Sequence, residues 1–589
     1  MTTPATTLPT KKGMSYLTEE TPPEQVFTRE DLSDEHRAVA QTVDDFWAKE
    51  VEPNLPAIRD KKPGVALDIV RKSAELGLTG ISIPEEFGGM EMDLASTMLV
   101  AEHIGRDASY AGWHSAHTGI GTLPILFFGT PQQKEKYLPK LVKVEMLAAY
   151  ALTEPLAGSD AMAARTRADL TPDGKHYVLN GQKMWITNGG SADLFTVFAK
   201  VGGEKFTAFL VERSFAGVSS GAEEHKMGIT GSSTTAIYLD NVHVPVENVL
   251  GEVGRGHVIA FNILNLGRLK LGPAVMGAAK NILSISTKYA KQRKAFGSAI
   301  ANFGAIQHKL AEMTIRIFAT ESMVWRVVGL IDSQLAHDAQ GNNQADDHAK
   351  AELKAVEEYA AECSMVKVFA AEMLDYVADE GVQIHGGYGF HKDYAVERYY
   401  RDARINRLFE GTSEINRFVI TGMPLKRAAK GQGTLVEAAK ESVSKGGNSR
   451  SAMTDAILVQ NAKQIALLAL GLAHRKHGAD LEKQQEVVMN ISDCLLEAFA
   501  MESTWLRGRK MGTSGKGAVA ADICSVFLRD AIARIEFSAR TVIGACCDEG
   551  DADKFTEIVR RLATYKTVNA VALRRRIADA VISSERYPF

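Results

Sequence analysis

The stretch HYVLNGQKMWIT, residues 176–187, decides the architecture, because it interrupts a helical pattern that runs nearly up to it. It is rich in aromatic and β-branched residues, and Pro172-Asp173-Gly174 ahead of it is a turn signal. LFTVFAKV (194–201), KFTAFLVE (205–212) and TTAIYLDNVHVP (234–245) repeat that composition. Residues 150–250 therefore read as a compact all-β domain. Upstream, Val39, Val43, Phe46, Trp47 and Val51 recur at helical spacing after Ser33, a suitable cap, and helices continue to about 148. TPQQKEKYLPKL (130–141) is one of them, with Thr130 as cap and Pro131 in the first turn. Downstream, long helical segments run from about His257 to Arg427.

The predicted layout is an N-terminal arm at 1–32, a helical domain at 33–148, the β-domain at 149–256, a helical bundle at 257–427, a linker at 428–450 and a C-terminal helical domain at 451–589. The fold class is mainly α with a central β-domain. LKRAAKGQGTLVEAAKESVSKGGNSR (425–450) is rich in Lys, Gly and Ser, which suits a mobile linker, while its Leu, Val and Ala allow an amphipathic helix at a membrane surface.

A chain of 589 residues is too long for one core. A net charge of −4 argues against a dedicated nucleic-acid binder, and the basic cluster in ALRRRIADAVISSER (572–586) reads as a solvated helix face. Cys363, Cys494, Cys524, Cys546 and Cys547 form neither a metal-ligand spacing nor a disulfide framework, so no metal is expected. No apolar run reaches the length of a membrane span. MTTPATTLPTKKGMSYLTEETPPEQ lacks a signal core and a transit-peptide pattern and reads as a flexible arm, so the expected location is cytoplasmic, with membrane contact at most peripheral.

Several stretches carry chemistry-bearing residues, each with a plainer reading beside it. In ALTEPLAGSDA (151–161), Thr153, Gly158, Ser159 and Asp160 suit a turn and a cap. KMWITNGG (183–190) puts Trp185 and Thr187 on one strand face, fitting an aromatic cofactor, although a core tryptophan is the commoner use. GEVGRG (251–256) and QIHGGYGF (383–390) match neither the dinucleotide fingerprint nor a Walker loop, but Gly386-Gly387 allows close backbone approach to a pyrophosphate. Arg293 in QRKAFG suits a phosphate or a solvated helix face. Glu410 in RLFEGTSEINR (407–417) is, by local physics, an ordinary loop acid before a helix capped by Thr412 or Ser413.

Taken in order and at their spacing, YALTEPLAGSD, KMWITNGG, QRKAFG, QIHGGYGF and RLFEGTSEINR resemble the acyl-CoA dehydrogenase family over about residues 33–425. The helical block after 450 further resembles the very-long-chain branch. The resemblance implies that family's fold: an α-bundle, a β-barrel-like domain and a second α-bundle, here with a C-terminal helical extension, and FAD as cofactor. By motif position Glu410 resembles the catalytic base. Thr153 and Thr187 look like the hydroxyls that bond the flavin, and Trp185 like the indole beside it. Arg293 and Phe296 resemble the pair that reaches a neighbouring subunit's FAD, with Gln383, Gly386 and Gly387 around its adenosine half. Thr412 and Glu414 fall where FAD of the same chain is contacted. Ser159, Arg268 in NLGRLKL and Gly411 match substrate-binding positions. Gly267 stands where the isovaleryl branch carries its base, so Glu410 has no rival there, and glutamate at 410 disfavours the nitroalkane oxidase relatives.

The implied reaction is dehydrogenation of a long-chain acyl-CoA to the trans-2-enoyl-CoA in fatty-acid β-oxidation. The base takes the α-proton while the β-hydrogen leaves as hydride to flavin N5, and electrons pass on to an electron-transfer flavoprotein. Water exclusion raises the basicity of the carboxylate, and hydrogen bonds to the thioester carbonyl stabilise the enolate. Leu408 and Phe409 are candidates to keep the site dry. Gly119 and Gly121 leave room for a long tail or serve helix packing. A homodimer is expected, because the C-terminal block would cover the tetramer surface of shorter relatives. An acyl-CoA oxidase and a non-catalytic scaffold of the same fold are the alternatives.

Overall fold

The computed structural model describes residues 8–339, 345–431, 434–445, 454–513 and 515–589. Two compact units emerge where six segments are predicted. One comprises Asp34–Ala278 and Asp338–Glu357, and the other Met1–Ser33, Ala279–His337 and Glu358–Phe589. The boundary between Ala278 and Ala279 falls inside a single continuous helix, Gly256–Gln292.

In the first unit, helices Asp34–Phe46, Val65–Glu75, Leu94–Ile104 and Ala108–Ala116 surround a core that includes Val43, Trp47, Ile69, Val70, Ile104 and Tyr110. Asp93 and Asp107 cap two of them by accepting from backbone N–H groups of the first turn. Thr130 and Gln133 form the capping box of Pro131–Val142, as the sequence suggests.

The strands are β1 (Ala148–Ala151), β2 (Arg167–Leu170), β3 (His176–Thr187), β4 (Leu194–Val201), β5 (Lys205–Glu212), β6 (Val218–Glu223), β7 (Thr234–Pro245) and β8 (Val249–Leu250). They form one sheet in the order β6-β7-β3-β2-β4-β5-β8, with β1 added on β4. β1 and β2 pair parallel with successive parts of β4, and the other pairings are antiparallel. Ala149, Ala168, Leu179, Phe195, Phe209 and Ile237, from six different strands, meet in one cluster, so the sheet curls around its own core. β3 slips register against β7 between Lys183 and Ile186, a bulge that positions the site residues below.

The second unit is helical, built on Gly304–Ala339, Ala360–His385 and Ser413–Ala429, with the C-terminal helices Asp455–His477, Gln485–Met511, Lys516–Cys546, Glu549–Ala563 and Ala570–Ser584. The expected flexible arm is instead packed wherever it is described; residues 1–7 lie outside the described residues. Met14, Tyr16, Leu17, Val26, Phe27 and Leu32 are buried, and Tyr16 Oη donates to Leu495 O at 2.7 Å. Gly329 has no side chain where a Cβ would stand 2.2 Å from the Cβ of Phe27. Full burial of each such side chain is worth about 1.5–3 kcal/mol, enough to overrule a Thr- and Pro-rich composition.

The C-terminal helices share this unit's interior. Arg507, fully buried, ion-pairs with Glu321 of Gly304–Ala339 and Glu30 of the arm, each at 2.7 Å, and Tyr587 Oη donates to Glu321 at 2.8 Å. The linker reading is corrected as well. Leu435–Lys445 is a helix whose Leu435, Val436 and Ala439 are buried, and Gly471 of Asp455–His477 would clash with Ala439 O if it carried a Cβ. The helix is amphipathic, but its apolar side is taken by its own chain. Residues 446–450 lie outside the described residues. Among the described residues one segment, Asp455–Lys483, is long and apolar enough to cross a membrane, against the sequence reading, but 78% of its apolar window is buried inside the protein, as in a core helix.

Candidate functional site

The site residues fall into two groups, one in each unit. In the helical unit, Arg404–Arg407 makes a short turn, and Leu408 and Phe409 N–H both return to Ile405 O. Glu410 and Gly411 then take left-handed backbone, with φ of 57° and 81°. Left-handed geometry is costly for a glutamate and persists only where surroundings enforce it. Asn416 enforces it here. Its side-chain amide, fully buried, donates to Gly411 O at 2.8 Å and Thr412 O at 3.0 Å, with a longer contact to Glu410 O. Lys367 Nζ adds a bond to Gly411 O at 2.7 Å. The sequence reading did not single out Asn416 or Lys367; an asparagine in the first turn after a Thr cap was the available signal.

Glu410 is half-buried, with its Oε2 shut off from solvent. Thr412 caps Ser413–Ala429 by accepting from Ile415 N–H at 3.2 Å. Glu414 is exposed in the first turn, where its own backbone N–H and then the Thr412 hydroxyl hold its carboxyl below the usual range. Leu408 and Phe409 are 47% and 41% exposed in this chain, so they do not dry the site through burial of their own.

A second feature of this unit is a cleft of about 520 Å³ lined in part by Arg293, Tyr289, His385, Gly386, Gly387 and Tyr388. The helix Gly256–Gln292 ends beside it in a hairpin, Lys294–Ala295 with Ser298–Ala299, turned by Phe296 and Gly297 at φ of 51° and 79°. Both turn residues have positive φ, the pattern of a two-residue type I′ turn. Phe296 is 97% exposed at the tip. Arg293 lies over the Tyr388 ring at 5.5 Å, and Tyr289 stacks on His385 at 4.1 Å. Gly386 has φ of 59°, and a Cβ at Gly386 or Gly387 would meet nothing within 4 Å. At Gly387, therefore, no protein neighbour demands glycine; a cation and bare backbone facing open space suit an anionic group such as a pyrophosphate. Gln383 is exposed and does not line the cleft.

In the other unit, the loop after β1 is fastened to β3. Met184 N–H donates to Thr153 O at 2.9 Å. Below it Glu154 accepts from Lys183 Nζ at 2.6 Å, from Thr166 Oγ1 and from the Arg165 and Thr166 N–H groups. Burial raises the carboxyl of Glu154, but Lys183 and the Arg165 N–H outweigh it and the net direction is down. Burial draws Lys183 to about 8 even against the attraction of Glu154. The sequence reading overlooked both residues of this pair.

The bulge that follows turns the next residues outward. Trp185 has φ of 57° and is 60% exposed, while Lys183 and Ile186 are buried. The commoner reading, a core tryptophan, is therefore overturned: regular alternation would have left Trp185 on the face of Lys183, and the bulge breaks it. Thr187 is half-buried and pairs with Thr234. Asn188, also left-handed and buried, donates to Trp113 O at 3.0 Å and locks the end of the strand. Ser159 is exposed in its loop, and Arg268 is buried on Gly256–Gln292 with Nη1 on Asn265 Oδ1 at 2.7 Å. Gly121 serves packing, since a Cβ would fall 2.9 Å from that of Ala148; Gly119 would approach only Lys270, at 3.7 Å.

Four family sequence models match the chain: acyl-CoA dehydrogenase N-terminal domain over 33–145, middle domain over 149–242, C-terminal domain over 254–422, and a further acyl-CoA dehydrogenase C-terminal domain over 461–561. A probable acyl-CoA dehydrogenase of Bacillus subtilis is 43% identical over 98% of both chains. A crystal structure of an acyl-CoA dehydrogenase complexed with FAD from Bacillus anthracis superposes with a TM-score of 0.95 at 45% identity, covering 98% of this chain and 100% of that one. The mitochondrial very long-chain specific acyl-CoA dehydrogenase of Bos taurus is 36% identical over 82% of this chain and 76% of its own.

Proposed function

The chain belongs to the acyl-CoA dehydrogenase family, a family of oxidoreductases, and from that premise we infer that it binds FAD and dehydrogenates long-chain acyl-CoA thioesters with Glu410 as base. The observation that carries the assignment is the strained, doubly braced turn at Glu410-Gly411, in the position the family gives its base. The residues present fit the cofactor: in the helical unit, Arg293, Gly386 and Gly387 suit the phosphates of a neighbouring copy's FAD and Thr412 supplies a hydroxyl, and in the other unit Thr153 and Thr187 supply hydroxyls and Trp185 an exposed indole. When bound, FAD supplies the acceptor for the two electrons that leave the substrate.

The chain's own groups perform the proton chemistry. Glu410 removes the α-proton, and its backbone N–H donates to the thioester carbonyl as negative charge develops there. Asn416 and Lys367 hold that backbone in place beforehand, so little reorganisation accompanies the reaction. The long-chain preference is supported by the match to the very-long-chain relative and by the C-terminal helices, not by Gly121. The electron acceptor in this reading is an electron-transfer flavoprotein. A homodimer is supported by Phe296, a residue type that a type I′ turn does not favour, held fully exposed beside the cleft.

The test is anaerobic titration of the flavoprotein with palmitoyl-CoA, following the oxidised flavin band. Bleaching in the wild type and its loss by at least a thousandfold in rate in Glu410→Gln is the expected result, in line with removal of a general base and more (~10²–10⁴). Retained flavin that no chain length bleaches would overturn the reading.

A further inference from the structure

Lys270 lies on Gly256–Gln292 in the unit that holds the sheet. Its Nζ donates to Thr118 Oγ1 at 2.9 Å, while the Thr118 hydroxyl, in the π-helical turn His117–Gly121, itself donates to His114 O at 3.0 Å. No carboxylate among the described residues pairs with this amine, so one of its three N–H donors is used and no counter-charge is near. Lys270 retains partial exposure, yet burial lowers it to about 8.

Its neighbourhood is equally unfinished. His114, 2% exposed, has an Nε2 with no hydrogen-bond partner. Burial and then the charge of Lys270 drive that imidazole well below its ordinary value, so it is neutral. His117, one turn on, is by contrast complete: Nε2 bonds Leu141 O at 2.9 Å and Nδ1 accepts from Ala148 N–H at 3.1 Å. Gly119 leaves the amine uncovered, since a side chain there would reach it. A leucine or methionine at 270 would fill a helix interface without the desolvation cost of a lone cation.

The cluster also has a direction. Ala148, held by His117, starts β1, and Thr153 follows the end of that strand. Four residues lie between them, so the two are at most on the order of 16 Å apart, a span that a long acyl chain covers.

We propose that Lys270, oriented by Thr118, and the imidazole of His114 receive a carboxylate at the far end of the acyl chain, so that this enzyme favours long-chain acyl-CoA thioesters carrying a terminal carboxyl group over plain hydrocarbon tails. The proposal rests on the dehydrogenase reading above and names the substrate class of the same site.

The test compares palmitoyl-CoA with the mono-CoA thioester of hexadecanedioic acid in wild-type holoenzyme, Lys270→Met and Thr118→Val, by kcat/KM and anaerobic flavin bleaching. The wild type is expected to favour the diacid thioester by about tenfold or more, the scale of one charge-assisted contact. Lys270→Met should reverse the preference, losing at least about tenfold on the diacid thioester and gaining on palmitoyl-CoA. Thr118→Val should lower the diacid rate by less. Equal use of the two substrates by the wild type, or a preference for palmitoyl-CoA, overturns the proposal without any variant having to fold. Bleaching by palmitoyl-CoA alone overturns it while leaving the dehydrogenase reading intact; bleaching by neither overturns both.

Discussion

Lys183 and Lys270 sit in the same unit, and burial lowers both amines to about 8, but they are built for different ends. Lys183 is wholly enclosed and ion-paired with Glu154, whose remaining lone pairs are taken by Thr166 and backbone N–H groups. Every group in that network is answered, and what it secures is the loop of Thr153 against the bulge of Trp185. Lys270 has one hydroxyl, no counter-charge and an uncovered side. A similar lowering of the amine thus arises in a closed structural bridge in one case and at an open polar end in the other. What distinguishes them is not how strongly each lysine is perturbed but whether its donors are satisfied.

Three measurements would break or sharpen this contrast. The largest effect is expected from Lys183→Met, which leaves the Glu154 carboxylate buried without its cation. Loss of about 3 kcal/mol or more in denaturant unfolding should follow, with weakened flavin retention, and adding Glu154→Gln should recover part of it. If Lys183→Met were neutral, the bridge would not be structural. Lys270→Met should act in the opposite sense, stabilising the protein at pH 7 by about 1–3 kcal/mol because a lone desolvated charge is removed. A destabilisation there would show that Lys270 is satisfied in a way its contacts do not reveal.

The smallest and most specific effect is on pH dependence. The folded state gives up the Lys270 proton near 8, whereas the unfolded chain holds it to about 10.5. Between those values the unfolded state binds more protons, so wild-type stability rises with pH. The penalty is fully present below 8 and relieved as pH climbs through the window. The stability difference between Lys270→Met and wild type should therefore shrink from pH 8 to 10.5, measured by unfolding at several pH values. A constant difference would place the effect in packing instead of charge.

Much of the candidate site's local geometry was legible in the sequence, but unevenly. Glu410, Gly411 and Thr412 were legible because a short motif fixes a short turn, and Thr412 caps the helix as its side chain predicts. The position of Trp185 was legible but its exposure was not, since a bulge depends on how β3 pairs with β7 about fifty residues later in the chain. Asn416, Lys367, Glu154 and Lys183 escaped notice because a polar residue becomes a brace only through the partner it finds, and Lys367 and Gly411 are far apart in sequence. The arm misled for the complementary reason. Its composition is that of a loose segment, and a few apolar side chains outweigh that composition once a long helical unit offers them a surface.

By itself, the sequence determined the order of helical and β segments, the absence of a dinucleotide fingerprint and the identity of the residues at the family's motif positions, because periodicity and short turns are local properties. Only the tertiary structure decided that the arm and C-terminal helices share one interior, that Trp185 faces outward, that the Glu410 turn is held left-handed, and that Lys183 is answered by a carboxylate while the half-buried Lys270 is not. Those outcomes depend on which distant groups exclude water from each other, and desolvation is a property of the folded neighbourhood rather than of any residue alone.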